Sequence, residues 1–139
     1  MIRQMIRSGL FAALGMVGVL VSYGAATSAD DKLPDIAEIM KKGHAKTDGY
    51  MAKIKAEAKD GKWDAAATDA KSLVILGNAL GKNKAPKGDA KSWETLSKKY
   101  ADNTVAVQKA VEAKDAKGVD AALGAIGKSC GECHKAHKP

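Results

Sequence analysis

Residues 128–139 read KSCGECHKAHKP, and this stretch holds both cysteines of the 139-residue chain and two of its three histidines. Cys130 and Cys133 are three positions apart, and His134 follows directly. On a helix that spacing sets both thiols on one face with an imidazole beside them. A disulfide over so short a loop would constrain the unfolded chain very little. A thioredoxin-like dithiol belongs in a strand–helix context, which this sequence does not show. A structural zinc site needs four ligands, with His137 and His44 available to add to the pair. The pattern C-x-x-C-H is better explained as the attachment signature of a c-type haem. Its two thiols add across the vinyl groups of the porphyrin, and the adjacent His134 becomes the proximal iron ligand.

The other end of the chain has a different character. Arg3 and Arg7 precede an apolar run over residues 9–21, followed by small residues up to Ala29. These are the three regions of a secretory signal, and cleavage is expected after Ala29. The run is short of the roughly 20 residues that a membrane span needs, so no stable membrane anchor is expected. Two regions follow: a signal peptide over 1–29 and one domain over 30–139. An exported chain of this kind is expected in the periplasm. Of 23 basic residues only Arg3 and Arg7 lie in the leader, leaving 21 lysines against 16 acids and a net charge near +5. Without arginine the domain lacks the bidentate side chains that read phosphate and guanine, and no nucleic-acid partner is expected.

Apolar residues of the domain recur at spacings of three and four, the helical signature, with no strand-like alternation. A first helix is expected from Pro34 to Ala58, turning Ile36, Ile39, Met40, Thr47, Met51 and Ile54 inward. KDGK (59–62) is a turn, and a second helix begins near Trp63 with Ala66, Ala70, Leu73, Gly77 and Leu80 on one stripe. GKNKAPKGD (81–89) is the one long loop, and Asp89 is placed to cap a third helix carrying Trp93, Leu96, Tyr100, Thr104, Val107 and Val111. A fourth helix carries Val119, Leu123, Ile126, Cys130 and Cys133. The fold class is therefore all-α: an antiparallel four-helix bundle with the haem near one end. Alanine fills many inward positions, and the domain's only aromatic residues are Tyr50, Trp63, Trp93 and Tyr100. So little bulky apolar surface calls for something large and flat to complete the interior.

The opposite face of the iron falls to the first helix. In an up-down-up-down bundle its start lies beside the end of the fourth helix. His134 is then roughly 6 Å from that end, Met40 roughly 9 Å, His44 roughly 15 Å and Met51 roughly 25 Å. Met40 is the expected distal ligand, His44 the alternative, and Met51 a core residue. The same topology brings the 81–89 loop and Trp93 to the haem end, together with Lys41, Lys42, Lys82, Lys84, Lys87, Lys135 and Lys138. Those lysines suit haem propionates or an acidic redox partner.

CGECHKAHK at the end of a four-helix chain resembles the class II cytochromes c, the cytochrome c' and c556 group. In that group the haem motif lies in the last helix, and an aromatic residue and then a base follow the histidine at the third and fourth places. Here those places hold His137 and Lys138. The arginine usually found four residues before the distal-side residue is replaced by Ile36. The resemblance implies one covalent haem c, a methionine ligand at Met40 as in c556-type proteins, and a monomer or a homodimer. It implies a one-electron carrier with low-spin His/Met haem. The alternative is a five-coordinate protein of cytochrome c' type that binds NO or CO. No paired carboxylates and no nucleophile–base arrangement suggest an enzyme. Colour that stays with the polypeptide through acid–acetone extraction is the expected outcome for the purified protein, whereas a colourless protein would point to zinc.

Overall fold

The structure, a computed structural model, describes residues 32–139, so the expected signal peptide lies outside the described residues. Five helices follow one another: α1 (Ile36–His44), α2 (Tyr50–Lys59), α3 (Trp63–Leu80), α4 (Ala90–Glu112) and α5 (Ala116–His137). Among the described residues there is no strand, and no helix is long and apolar enough to cross a membrane. α2 packs on α3, α3 on α4, α4 on α5, and α5 returns to α2, which closes the four-helix ring. α1 leans on α2 and α3 at one end of it.

Local chemistry sets most of the boundaries. Asp35, Asp89 and Asp115 each accept a hydrogen bond from a backbone N–H three residues on, at 2.8, 2.8 and 3.0 Å, and so cap α1, α4 and α5. Gly61 turns α2 into α3 with φ +71°, a value that side-chain-bearing residues seldom adopt.

The first helix departs from the sequence expectation. It breaks between His44 and Tyr50, so that one arm of the bundle is made of α1 and α2 in succession. Ala45 leaves the helix at φ −56°, ψ 140°, and the chain turns tightly enough that Gly49 N–H reaches Ala45 O at 3.1 Å. A Cβ on Gly49 would stand 2.5 Å from Ala45 N, so only glycine closes this turn. Thr47, expected inside, is carried out to solvent by the same break.

The interior holds Ile39, Ile54, Leu73, Val107, Val111, Val119 and Ile126, with Ala58, Ala66, Ala70 and Ala79 between them. A buried alanine removes one methyl from water, worth about 0.8 kcal/mol, against about 1.5–3 kcal/mol for a leucine or isoleucine side chain. What the alanines and Gly77 permit is close approach. A Cβ at Gly77 would lie 2.5 Å from Thr104 Oγ1 and 3.3 Å from the Ala101 backbone. Gly77→Ala is expected to destabilise the protein by about 1–3 kcal/mol in thermal unfolding, and Thr104→Ala in the same chain should recover most of that loss. Gly124→Ala should instead stabilise by up to about 1 kcal/mol, because nothing lies within 4 Å of the added methyl.

Candidate functional site

Where α5 ends, the bundle opens on a cavity of about 460 Å³. Its wall comes from four helices and a loop: Ile36 and Met40 of α1, Leu80 of α3, Pro86 of the loop, Trp93 of α4, and Cys133, His134 and His137 of α5, with Lys138 at the rim. The wall is carbon almost throughout. A narrow inner cleft shares Met40, Leu80, Cys133 and His134 with it and adds His44, Tyr100 and Cys130. Cys130 also faces a groove toward Met51, Leu123 and Gly127. Cys133, His134, Met40 and Trp93 thus gather at one opening, with Cys130 and His44 in the cleft at its inner end. Met51 is half-buried in the groove beyond it.

Both cysteines are free thiols, half-buried, and burial pushes both thiols up from their ordinary values. Cys130 Sγ–H donates to Ile126 O at 3.3 Å, one turn back along its own helix. Neither is a poised thiolate, which is what a redox dithiol would need. Among the described residues no group of three or more His, Cys, Asp or Glu side chains is arranged to hold a metal ion by themselves. The donor set present is two thiols and one imidazole beside an apolar hollow, and a flat apolar macrocycle fits it.

His44 is engaged elsewhere. Its Nε2 shares a 2.9 Å hydrogen bond with Tyr100 Oη, and the two rings lie 5.5 Å apart. Burial, and secondarily the charge of His134, hold the His44 imidazole below its ordinary value. Burial pushes the Tyr100 phenol up, with a further push from Cys130. The pair is therefore a neutral hydrogen-bonded unit at the inner end of the cleft. His44 has the role of a polar side chain tied to a neighbouring helix.

His137 is the residue whose purpose the sequence did not reveal. It is 2% exposed, and both ring nitrogens have partners. Lys87 O, which can only accept, lies 2.8 Å from Nδ1, so Nδ1 carries the hydrogen. Nε2 shares a 3.1 Å hydrogen bond with Ser92 Oγ. Trp93 meets the ring edge-on at 5.3 Å. His137 so occupies the place where the resemblance calls for an aromatic residue, and it adds two hydrogen bonds that a phenyl ring could not make. Gly88, at φ +82°, passes so close that a Cβ there would sit 2.8 Å from Ala136 O. The loop and the last turn of α5 are locked together, and Trp93 Nε1–H donates to Asn83 O at 2.8 Å to extend the lock across the loop.

Lys41, Lys42, Lys82, Lys84, Lys87, Lys135 and Lys138 are all exposed, on the segments that border this opening. Trp93, in contrast, is almost wholly buried, its indole forming part of the cavity wall.

Residues 87–138 are similar to the family described as Cytochrome C'. No curated protein and no solved structure matches the chain. The matched segment runs from the Lys87 clasp through α4 and α5 to Lys138, and so contains the whole C-x-x-C-H motif and its proximal surroundings. The chain is a c-type haem protein, with the haem bound covalently. The match stops short of α1, which carries Met40 and His44.

Removal of the clasp gives a direct check. His137→Ala should lower the thermal stability of the holoprotein by about 2–4 kcal/mol, through the lost ring contact and a Lys87 carbonyl left without its donor. His137→Phe, which restores an aromatic ring without the hydrogen bonds, should fall between the two.

Proposed function

We propose that the chain is an exported, periplasmic monohaem protein of cytochrome c' type, which holds small neutral ligands such as NO or CO in an apolar distal pocket. Cys130 and Cys133 would hold the haem as thioethers, and His134 would be its proximal ligand. The observation that carries the reading is the almost wholly apolar wall of the cavity, in which Ile36, Met40 and Leu80 stand together. The polarity of a distal pocket decides what it retains. An apolar wall disfavours ligands that need a hydrogen bond and leaves room for NO and CO. His44 does not alter this, since its Nε2 is committed to Tyr100. The similarity to the Cytochrome C' family supports the same reading.

When bound, the haem supplies one reversible electron and one exchangeable axial position. The chain's own residues do the rest. Met40 would close the distal side, Trp93 and His137 would support the macrocycle on the loop side, and Lys138 at the rim could offer a counter-charge to a propionate.

A second reading is favoured by one specific observation. Met40 is the sole thioether on the cavity wall, and it shares the inner cleft with His134. If its sulfur bound the iron, the centre would be low-spin with a raised potential, and the protein would be a one-electron carrier. The lysines around the opening would then steer an acidic redox partner, faster at low salt. Neither reading includes catalytic turnover.

Near-infrared magnetic circular dichroism of the oxidised holoprotein separates the two. A high-spin five-coordinate signature is the expected result. A His/Met low-spin signature, converted to high-spin by Met40→Ala, would establish the electron carrier instead. A bis-histidine signature would hand the sixth position to His44 and overturn both.

A further inference from the structure

Met40 rides on a helix that the bundle does not own. α1 has 9 residues and is separated from α2 by the break at residues 45–49. A helix of that length has little stability of its own in water and keeps its place through tertiary contacts. Its inner face supplies a single fully buried side chain, Ile39. Gly43 lets it come close, since a Cβ there would stand 3.4 Å from Tyr100 Oη and 3.7 Å from Leu73.

Beyond that apolar contact, each end of α1 is held by one side chain, Asn83 of the loop between α3 and α4 and Tyr100 of α4. At the start, Asn83 Nδ2 donates to Pro34 O at 3.1 Å, just ahead of the Asp35 cap, and also to Ala79 O at 3.0 Å. One amide therefore bridges the entry of α1 to the last turn of α3. At the other end, Tyr100 of α4 shares its 2.9 Å hydrogen bond with His44, the last residue of α1. Met40 sits between these two attachments. The structure further links them to the proximal side, because the backbone carbonyl of Asn83 receives Trp93 Nε1–H and Trp93 meets His137 on the haem helix.

We propose that Asn83 and Tyr100 are positioning residues for the distal side of the haem. They pin α1 at its two ends, and so fix how closely Met40 approaches the position facing His134. The proposal rests on the reading that Met40 stands across from His134, and it holds whether the sulfur only closes the pocket or binds the iron. Release of either pin lets α1 tilt on the hinge at Gly49 and draws Met40 back, so that an incoming ligand meets less obstruction. Asn83 is the sharper of the two, because its side chain lines neither the cavity nor the inner cleft and reaches the site only through the entry of α1, while the carbonyl that holds Trp93 is backbone and survives substitution.

The test is the association rate of CO with the ferrous holoprotein, read with the ferric spin state, for Asn83→Ala, Tyr100→Phe, Asn83→Gln and Met40→Ala. The loss of one hydrogen bond to α1 corresponds to about a three- to tenfold faster association for each of the first two. Asn83→Gln, which keeps the donor, should return the rate toward that of the parent. A purely structural role would lower the melting temperature while leaving rate and spin state unmoved. If Met40→Ala alters the rate and Asn83→Ala leaves it within about 1.5-fold of the parent, the pins are refuted and the distal reading survives. If Met40→Ala alters neither rate nor spin state, Met40 does not face the iron, and both fall together.

Discussion

The last turn of the haem helix is held by one buried imidazole, and the site depends on that attachment. The terminal turn of a helix is where backbone order ordinarily fades, because its carbonyls lack partners along the helix. Here that turn begins at His134, the residue proposed to hold the iron. His137 answers the conflict by spending both ring nitrogens on the Lys87–Ser92 segment and resting its edge on Trp93. With the turn fixed, His134 and Cys133 project from a rigid base, and Pro86 and Trp93 become a wall rather than a flap.

The composition of the bundle follows from having so little to fill its centre. Alanine and glycine at the α3–α4 seam let the helices approach closely at Gly77 and Thr104, and the few large side chains form a compact core around Ile54, Leu73, Val107 and Ile126. Toward the end of α5 the aliphatic residues stop and a hollow begins. A chain of this composition gains limited stability from burial alone. A covalently held macrocycle would fill the hollow that the apolar wall encloses, and could not be lost by dissociation.

Much of this was legible before any coordinates. The periodicity located the helical segments, the aspartate at 89 marked the start of α4, and C-x-x-C-H named the cofactor because its chemistry requires those residues at that spacing. Axial arithmetic on one continuous helix put Met40 nearest the haem motif, and Met40 does line the cavity beside His134, although the break at 45–49 voids the same count for Met51. Three things were hidden. The break after His44 has no proline to announce it, and its one signal, Thr47-Asp48-Gly49, is a turn composition embedded in an otherwise helical run. The part played by His137 depends on a backbone carbonyl 50 residues earlier in sequence, a relation that periodicity cannot express. Asn83 looked like one more polar loop residue, and only the fold brings Pro34 to it.

The separation of α1 from the ring has a bearing on how such a protein changes over generations. The groups expected to hold the haem belong to the ring, while the residue that faces them arrives on a nine-residue appendage joined through a glycine turn. Substitutions at Met40 or Ile36 leave the α2–α5 seams untouched, so they can be tried at small cost to folding. Distal chemistry and scaffold integrity are inherited as two nearly independent traits. Under the proposed reading, one scaffold of this design could pass between holding a gas and passing an electron by altering a single turn of its first helix.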